Sequence, residues 1–288
     1  MTAVVIGVER LRAALRERWD LTDPAVEVHD GGMNSATWFV TDGEQRWVAK
    51  AVVPAARESF RGGLAVATAL ETAGIPAGAP RPTRLGDLVA DVDGVPVGLL
   101  TWVPGAEPDD QRVIGATLGR VHRALRDVSV PGAERFHWVD PRAGHLDVEP
   151  WVRPAVSAAV TAWDRLDPTT LTWGLLHTDP APEAFRVERG VCGVIDWSVA
   201  LAGPLLYDLA SAVMYVGGPG HAAALVESYL DQGVVPRAEV ERALPVMFRF
   251  RMAVQADYFA RRLATNDLTG IDSDAENWKG LAAARAGL

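Results

Sequence analysis

The chain is almost without cysteine: Cys192 is the single one among 288 residues. That excludes an internal disulfide framework and any metal site built from several thiolates, and it leaves Cys192 as a small core residue of a strand. Long apolar runs are lacking too. No stretch reaches the ~18 uncharged apolar residues expected of a spanning helix. Met1-Thr2-Ala3-Val4-Val5 is a short apolar patch with no cationic flank, which reads as neither a signal peptide nor a spanning helix. The expected location is the cytoplasm. Positive charge is in deficit, with 28 Lys and Arg against 37 Asp and Glu and a formal net charge of −9. This balance argues against a protein whose main work is gripping nucleic acid or an anionic membrane. It is compatible with a cationic small substrate, and equally with solubility alone. Internal repeats and low-complexity segments are absent.

What is present is an ordinary globular mixture, 49% hydrophobic and 23% charged, in a chain long enough for one large domain or two lobes. Leu11, Leu15 and Trp19 recur at spacing four and predict a helix over Val8–Trp19, broken at Asp23-Pro24. Thr37–Val40 and Arg46–Val53 form a predicted hairpin around Asp42-Gly43. A helix over Phe60–Ala73 ends at Gly74, weakened near its start by Gly62-Gly63. Pro76 to Pro82 must be extended. Asp87–Val92 and Val95–Val103 read as a second hairpin around Asp93-Gly94, and Pro104-Gly105 punctuates the chain. The lobe boundary is placed at Trp102–Gly105. Beyond it helices are expected over Asp109–Leu125, Pro150–Leu166, Tyr207–Val216, His221–Gln232, Arg237–Thr265 and Asn277–Ala286. A short hairpin, Ala184–Val187 with Val191–Asp196, interrupts them. The fold class is α+β: a β-rich N-terminal lobe and a larger α-helical C-terminal lobe.

Five segments carry chemistry. Asp30-Gly31-Gly32-Met33-Asn34-Ser35 lies before a strand, where two glycines let backbone N–H groups approach phosphates closely; the same pattern also serves as a plain turn. Lys50 sits in the apolar strand Trp47-Val48-Ala49-Lys50-Ala51-Val52, where a lysine either finds an anionic partner or snorkels from an edge. Leu175-Leu176 delivers His177-Thr178-Asp179 into a loop, with Pro180 fixing the backbone after it. Asp179 is suited to accept a proton from a substrate hydroxyl, and His177 to tie down the loop. Val194-Ile195-Asp196-Trp197 ends an apolar strand in a carboxylate, seventeen residues after Asp179, suited to Mg²⁺. Asp208 opens an apolar helix after Gly203-Pro204, where the helix dipole favours it and where it could brace the catalytic loop. Glycine loop, lysine, hydroxyl-orienting carboxylate and metal carboxylate are the parts that phosphoryl transfer needs, in kinase chain order.

On His177-x-Asp179, Ile195-Asp196-Trp197, Gly203-Pro204 and Asp208-Leu209-Ala210, supported by Lys50 and Pro104-Gly105, the chain resembles the aminoglycoside phosphotransferase family. The resemblance covers about Val26 to Val216, and within the family it looks nearest to the capreomycin type. It implies a protein-kinase-like fold with a nucleotide-binding lobe over 1–101 and a catalytic and substrate-binding lobe over 102–288. It implies Mg²⁺, with ATP or GTP as phosphate donor. Asp179 would be the base, Asp196 the main Mg²⁺ ligand and Lys50 the contact to the α/β-phosphates. Gly31, Gly32, Asn34 and Ser35 would line the phosphate loop. Thr101-Trp102-Val103 would be the hinge whose backbone binds the purine, and His177 and Asp208 would hold the catalytic loop. The expected acceptor is a hydroxyl of a cationic antibiotic, an aminoglycoside or tuberactinomycin-type peptide; an amino alcohol, a sugar, or a nucleotide-binding pseudokinase are the alternatives. Acids at 257, 267, 272, 274 and 276 fit a cationic acceptor, with Asp257, Tyr258 and Trp278 as contacts and Phe259 as a further wall.

Two departures stand out. The family usually has Asn five residues after the base, and here that residue is Ala184, which coordinates nothing. Its neighbour Glu183 carries the right oxygen donors and is the expected substitute metal ligand. The lysine's expected glutamate partner falls on Gly63, with Glu58 and Glu71 the nearest acids. Thr178 stands where the family usually has Gly.

Overall fold

The computed structural model describes residues 6–29, 35–130, 134–136, 139–197 and 201–288. In chain order these form α1 (Val8–Trp19), β1 (Ala25–His29), β2 (Ala36–Asp42), β3 (Gln45–Ala51), α2 (Arg57–Thr72), β4 (Pro80–Arg81), β5 (Ala90–Val92) and β6 (Val95–Thr101). There follow α3 (Gln111–Ala124), β7 (Glu134–Arg135), α4 (Val152–Asp164), β8 (Trp173–Leu176), β9 (Phe185–Glu188), β10 (Val191–Val194) and β11 (Leu201–Pro204). The last elements are α5 (Leu206–Tyr215), α6 (Ala223–Leu230), α7 (Arg237–Ala264) and α8 (Asp274–Gly287). They gather into two compact units. The described residues of 6–106, 128–130 and 186–197 make the first, and those of 107–127, 134–185 and 201–288 the second.

The first unit is built on an antiparallel sheet in the order β1-β2-β3-β6-β4, with β5 also paired to β6. Period-2 alternation sends Trp38, Val40, Ala49, Ala51, Val97 and Leu99 to one face, where they form a core with Leu11, Leu15 and Trp19 of α1. Fully burying a side chain of the size of Leu11 or Leu15 contributes roughly 1.5–3 kcal/mol. Helix α1 stops at Asp20, whose left-handed φ of 55° lets its N–H return to Leu15 O. The opposite face bears Lys50, in register with Gly98. A Cβ on Gly98 would sit 3.1 Å from Phe60 and 3.2 Å from Leu64, so this glycine is what lets α2 lie against β6. The β9–β10 hairpin packs in this unit: Val194 N–H donates to Pro76 O at 2.8 Å and Val187 N–H to Ala106 O at 2.7 Å.

The second unit is mostly helical, with one three-stranded sheet in the order β7-β11-β8. Helix α3 crosses α6 so closely that a Cβ on Gly115 would lie 2.1 Å from Leu225 O. Phe136, Trp163, Tyr207 and Phe250 form a continuous aromatic cluster, and long α7 carries Pro245 within it. No helix among the described residues is long and apolar enough to cross a membrane.

All three hairpins and all the helices anticipated from the sequence are present. Strands β1, β4, β7, β8 and β11 are additional. Edge strand β1 is almost wholly exposed, and its Val26-Glu27-Val28 alternation is too short to announce a strand by itself. Strand β11 contains Gly203-Pro204, expected only as the lead into the helix of Asp208; Pro204 pairs with Trp173 at the strand's end, where a missing donor is tolerated. A Cβ on Gly203 would meet Leu176 at 2.7 Å and Phe136 at 2.9 Å. Pro80, expected in an extended loop, forms a two-residue edge strand with Leu100.

Candidate active site

The apolar strand β8 ends at Leu176 and hands the chain to His177, Thr178 and Asp179. This turn is held by α5. Asp208, with no exposed surface, accepts the N–H of His177 at 2.7 Å and of Thr178 at 2.8 Å. Its Oδ2 also faces His122 Nε2 at 3.0 Å, and His122 Nδ1 lies 2.8 Å from the Tyr229 hydroxyl. With Asp208 ionised, Nε2 carries the proton and donates it, which leaves Nδ1 to accept from Tyr229. One turn along α5, Ser211 donates to Thr178 O at 3.4 Å. Thr178 therefore has its N–H and its carbonyl bound to the same helix, and it needs that support because its φ is 76°. His177 Nδ1 accepts the Asp179 N–H at 3.4 Å.

Asp179 projects from this turn with 62% of its side chain exposed. Its Oδ1 accepts the Tyr215 hydroxyl at 2.5 Å and Arg251 Nη2 at 3.3 Å. Among the described residues Oδ2 has no protein partner. Asp208, Ser211 and Tyr215 stand at i, i+3 and i+7, one face of α5. Burial pushes the Tyr215 hydroxyl well above the ordinary tyrosine range, and the negative charge of Asp179 adds to it. Burial opposes the charge of Arg251, but Tyr207, Asp179 and Tyr215 outweigh it and hold the guanidinium above its ordinary value. Arg251 also donates to Ser211 Oγ and Gln255 Oε1, each at 2.9 Å. The next turn, Pro182–Ala184, is 3-10. It buries the Ala184 methyl and exposes Glu183, whose charge also reaches Tyr215.

In the first unit, Lys50 on β3 donates to Asp196, just past β10. Lys50 is one of two lysines in the chain, the other being Lys279; arginine supplies every other permanent side-chain cation. With arginine used almost everywhere else, the rarity of lysine is a second signal, offered by composition, that marks Lys50. Asp196 has a left-handed φ of 73°, and Trp197 Nε1 donates to Val194 O at 2.8 Å to close the turn. Glu71 is committed elsewhere: its Oε1 takes Ala77 N–H at 3.4 Å, Ala79 N–H at 2.9 Å and Thr101 Oγ1 at 3.1 Å. Glu58 is exposed and Gly63 is buried. In the segment expected to be the hinge, Thr101 N–H donates to Ala79 O at 3.0 Å. Trp102 lies under the Arg46 guanidinium, 3.8 Å from the ring centre, and edge-on to Phe39; Val103 is buried. Ser35 directly precedes β2, while Gly31, Gly32 and Asn34 lie outside the described residues.

The donor chemistry fits Mg²⁺ at Asp196, a carboxylate with 58% of its side chain exposed. Among the described residues no group of three or more His, Cys, Asp or Glu gathers into a cage. A divalent ion here would draw remaining ligands from phosphates and water, as Mg²⁺ commonly does.

Two of the acceptor candidates, Asp257 and Tyr258 on α7, have polar protein partners. Asp257 Oδ1 lies 2.6 Å from His145 Nε2. The Tyr258 hydroxyl accepts from Arg262 Nη1 at 3.3 Å, and Arg262 also binds Asn277 Oδ1 at 2.8 Å and Thr269 O at 2.7 Å. Trp278 is 39% exposed. Phe259 is pressed against Gly280, where a Cβ would lie 2.3 Å from its ring. Pattern reading missed His122, Tyr215, Tyr229 and Arg251; the i, i+3, i+7 spacing of Asp208, Ser211 and Tyr215 was the available clue.

A family model described as the phosphotransferase enzyme family matches residues 25–243. Homoserine kinase of Gluconacetobacter diazotrophicus is 31% identical over 198 residues, 58% of this chain and 60% of that protein. Homoserine kinase of Rhodopseudomonas palustris is 26% identical over 217 residues, 67% of this chain and 65% of that protein. The match thus spans less than two thirds of these relatives' length. Among solved structures, a microcompartment-associated aminopropanol kinase superposes with a TM-score of 0.77 at 20% identity, covering 98% of this chain and 95% of that one. A spectinomycin phosphotransferase in complex with ADP and spectinomycin gives 0.70 at 13% identity, covering 99% and 98%. At these identities the structural likeness speaks for the fold, the α+β kinase-like class.

Proposed function

Because the chain belongs to the phosphotransferase enzyme family, we propose that it is a kinase moving the γ-phosphate of ATP or GTP to a hydroxyl of a small molecule. The observation that carries this reading is the asymmetry of Asp179. Its Oδ1 is engaged by Tyr215 and Arg251, while Oδ2 has no partner among the described residues. Oδ2 accepts the proton of the acceptor hydroxyl as the new O–P bond forms. The bond from the γ-phosphorus to its bridging oxygen breaks, and the nucleoside diphosphate leaves.

Lys50 contacts the α/β-phosphates, and Ser35 with Gly31, Gly32 and Asn34 forms the phosphate loop. The backbone of Thr101, Trp102 and Val103 receives the purine. Asp196 holds Mg²⁺, with Glu183 as the carboxylate that substitutes for the Asn absent at 184. When bound, the ion neutralises charge on the phosphate oxygens. His177 and Asp208 keep the catalytic turn in place. The first lobe, 1–101, serves the nucleotide; 102–288 serves catalysis and the acceptor.

For the acceptor, the sequence relatives named homoserine kinase, together with the aminopropanol kinase among the structural neighbours, support a small amino alcohol. A cationic antibiotic is the second reading. It is supported by the net charge of −9 and by Asp257, Tyr258 and Trp278 as contacts for an amine-bearing ligand of the aminoglycoside or tuberactinomycin type. The test is incubation with γ-labelled ATP or GTP and Mg²⁺ against a panel of amino alcohols, sugars, aminoglycosides and tuberactinomycin-type peptides. Label on an amino alcohol supports the first reading, and label on an antibiotic the second. Nucleotide binding with no transfer to any hydroxyl compound overturns both in favour of a binding module.

A further inference from the structure

The surroundings of Asp179 hold two groups that no part of the phosphoryl-transfer scheme uses. Tyr215 closes α5, and Arg251 lies mid-way along α7. Both reach the same oxygen, Oδ1. Arg251 is only 5% exposed. An arginine buried to that degree is costly unless its donors are engaged, and three of its nitrogens are engaged: Nε on Ser211 Oγ, Nη1 on Gln255 Oε1 and Nη2 on Asp179 Oδ1. Ser211 in turn donates to Thr178 O. The guanidinium thus touches the catalytic turn twice, once at the carboxylate and once through the serine that holds the preceding carbonyl. Tyr215 adds a short bond from a hydroxyl that its surroundings keep protonated, and so keep a donor.

We propose that Tyr215 and Arg251 are positioning residues for the base. Together they occupy Oδ1, fix the carboxylate's rotation, and present Oδ2 as the one oxygen open to the acceptor hydroxyl. This rests on Asp179 being the base. The physical need is clear in this chain. The carboxylate is 62% exposed and stands after a residue in left-handed conformation. Without the clamp it rotates about χ1 and χ2 among several solvated arrangements, of which few place an oxygen in line with the transferring phosphate. The clamp draws on both helices that flank the turn, so it also couples the base to the packing of α5 against α7.

A positioning role predicts a loss in turnover rather than in binding. Tyr215→Phe keeps the ring and removes one bond; kcat should fall about tenfold with the KM for nucleotide within about twofold, the pattern of an interaction that acts in the transition state. Arg251→Lys keeps a buried cation and loses the fork; kcat should fall further, about 10²-fold, again with little change in nucleotide KM. A second measurement leaves Tyr215 and Arg251 untouched and so does not depend on the folding of Arg251→Lys: NMR titration of tyrosines labelled with ¹³C at Cζ, in wild type and in Asp179→Asn. The Tyr215 resonance should remain that of the protonated ring up to about pH 11 in wild type, beyond the ordinary tyrosine value of about 10, and should begin to titrate at lower pH in Asp179→Asn. The clamp is overturned if Tyr215 titrates alike in both proteins, or if Tyr215→Phe and a folded Arg251→Lys keep wild-type kcat. Asp179→Asn, assayed in parallel, separates the two levels: loss of transfer in Asp179→Asn beside normal kcat in the clamp variants refutes the clamp alone, whereas transfer retained in Asp179→Asn refutes the base.

Discussion

The buried carboxylate of Asp208 receives the N–H of Thr178 at 2.8 Å, and Thr178 holds a φ of 76°. One side chain thus sustains a backbone conformation that its owner's sequence disfavours. Asp208→Ala leaves the N–H groups of His177 and Thr178 and the Nε2 of His122 without their acceptor. At roughly 1–3 kcal/mol for each stranded buried donor, a loss of at least about 3 kcal/mol is expected, read as a fall in the denaturant midpoint with unchanged slope. Asp208→Asn, which keeps one acceptor oxygen, should lose less. Equal stability of Asp208→Ala and wild type would show that the turn does not depend on this carboxylate.

Thr178 itself is the second test. A β-branched residue in the left-handed region costs of order 1–3 kcal/mol, of which glycine's greater freedom in the unfolded chain offsets part. Thr178→Gly should therefore raise stability by about 1 kcal/mol with activity retained, measured by thermal melting beside a turnover assay. A lower melting temperature would mean that the threonine side chain contributes contacts worth more than the strain.

The crossing of α3 and α6 gives the third. A Cβ on Gly115 would lie 2.1 Å from Leu225 O, a backbone atom that no rotamer change can move. Gly115→Ala should separate the two helices and lower stability by about 1–3 kcal/mol, the usual cost of overpacking. Gly144→Ala is the control, since nothing lies within 4 Å of its added methyl.

The fourth concerns pH. Asp42, at the end of β2, accepts the N–H of Asp23 at 2.8 Å and of Thr22 at 3.0 Å. These bonds, that from Asp23 foremost, hold its carboxyl below the ordinary carboxylate range. A folded value below the unfolded one stabilises at pH above the unfolded value of about 3.9, and that advantage is lost as the pH falls through the folded value. Asp42→Asn should melt below wild type at pH 7, with the gap closing under acid conditions. A gap independent of pH would deny the ionised carboxylate any part in holding the 22–23 loop.

Much of this architecture was legible because it is written in periodicity. Leu11, Leu15 and Trp19 announce α1, and Asp42-Gly43 and Asp93-Gly94 announce two of the three hairpins. Asp179 and Asp196 were visible as carboxylates at the ends of apolar runs, and Lys50 as a cation within one, where burial alone would not put them. What stayed hidden depends on tertiary closure. Strand β1 is an exposed edge whose alternation, Val26-Glu27-Val28, is too short to stand out. Strand β11 is defined by its partners, Leu175 and Leu176 among them, while its own sequence, Gly203-Pro204, speaks for a turn. Arg251 sits in a long helix already rich in arginine, and only the fold brings it to Asp179 across 72 residues. His122 follows the apolar Val121 in α3 with nothing in its own sequence to mark it, yet it is 2% exposed and bonded to Asp208 and Tyr229. Ala184 shows the opposite case. The missing Asn was plain from sequence, and the structure adds that the methyl is buried while Glu183 beside it is exposed.

The most direct test of the central claim is transfer of labelled γ-phosphate by wild type and by Asp179→Asn, with nucleotide affinity measured in parallel. The account predicts that wild type phosphorylates a hydroxyl compound, and that Asp179→Asn loses at least about 10² in rate while binding nucleotide as before. Transfer by Asp179→Asn at the wild-type rate would contradict it.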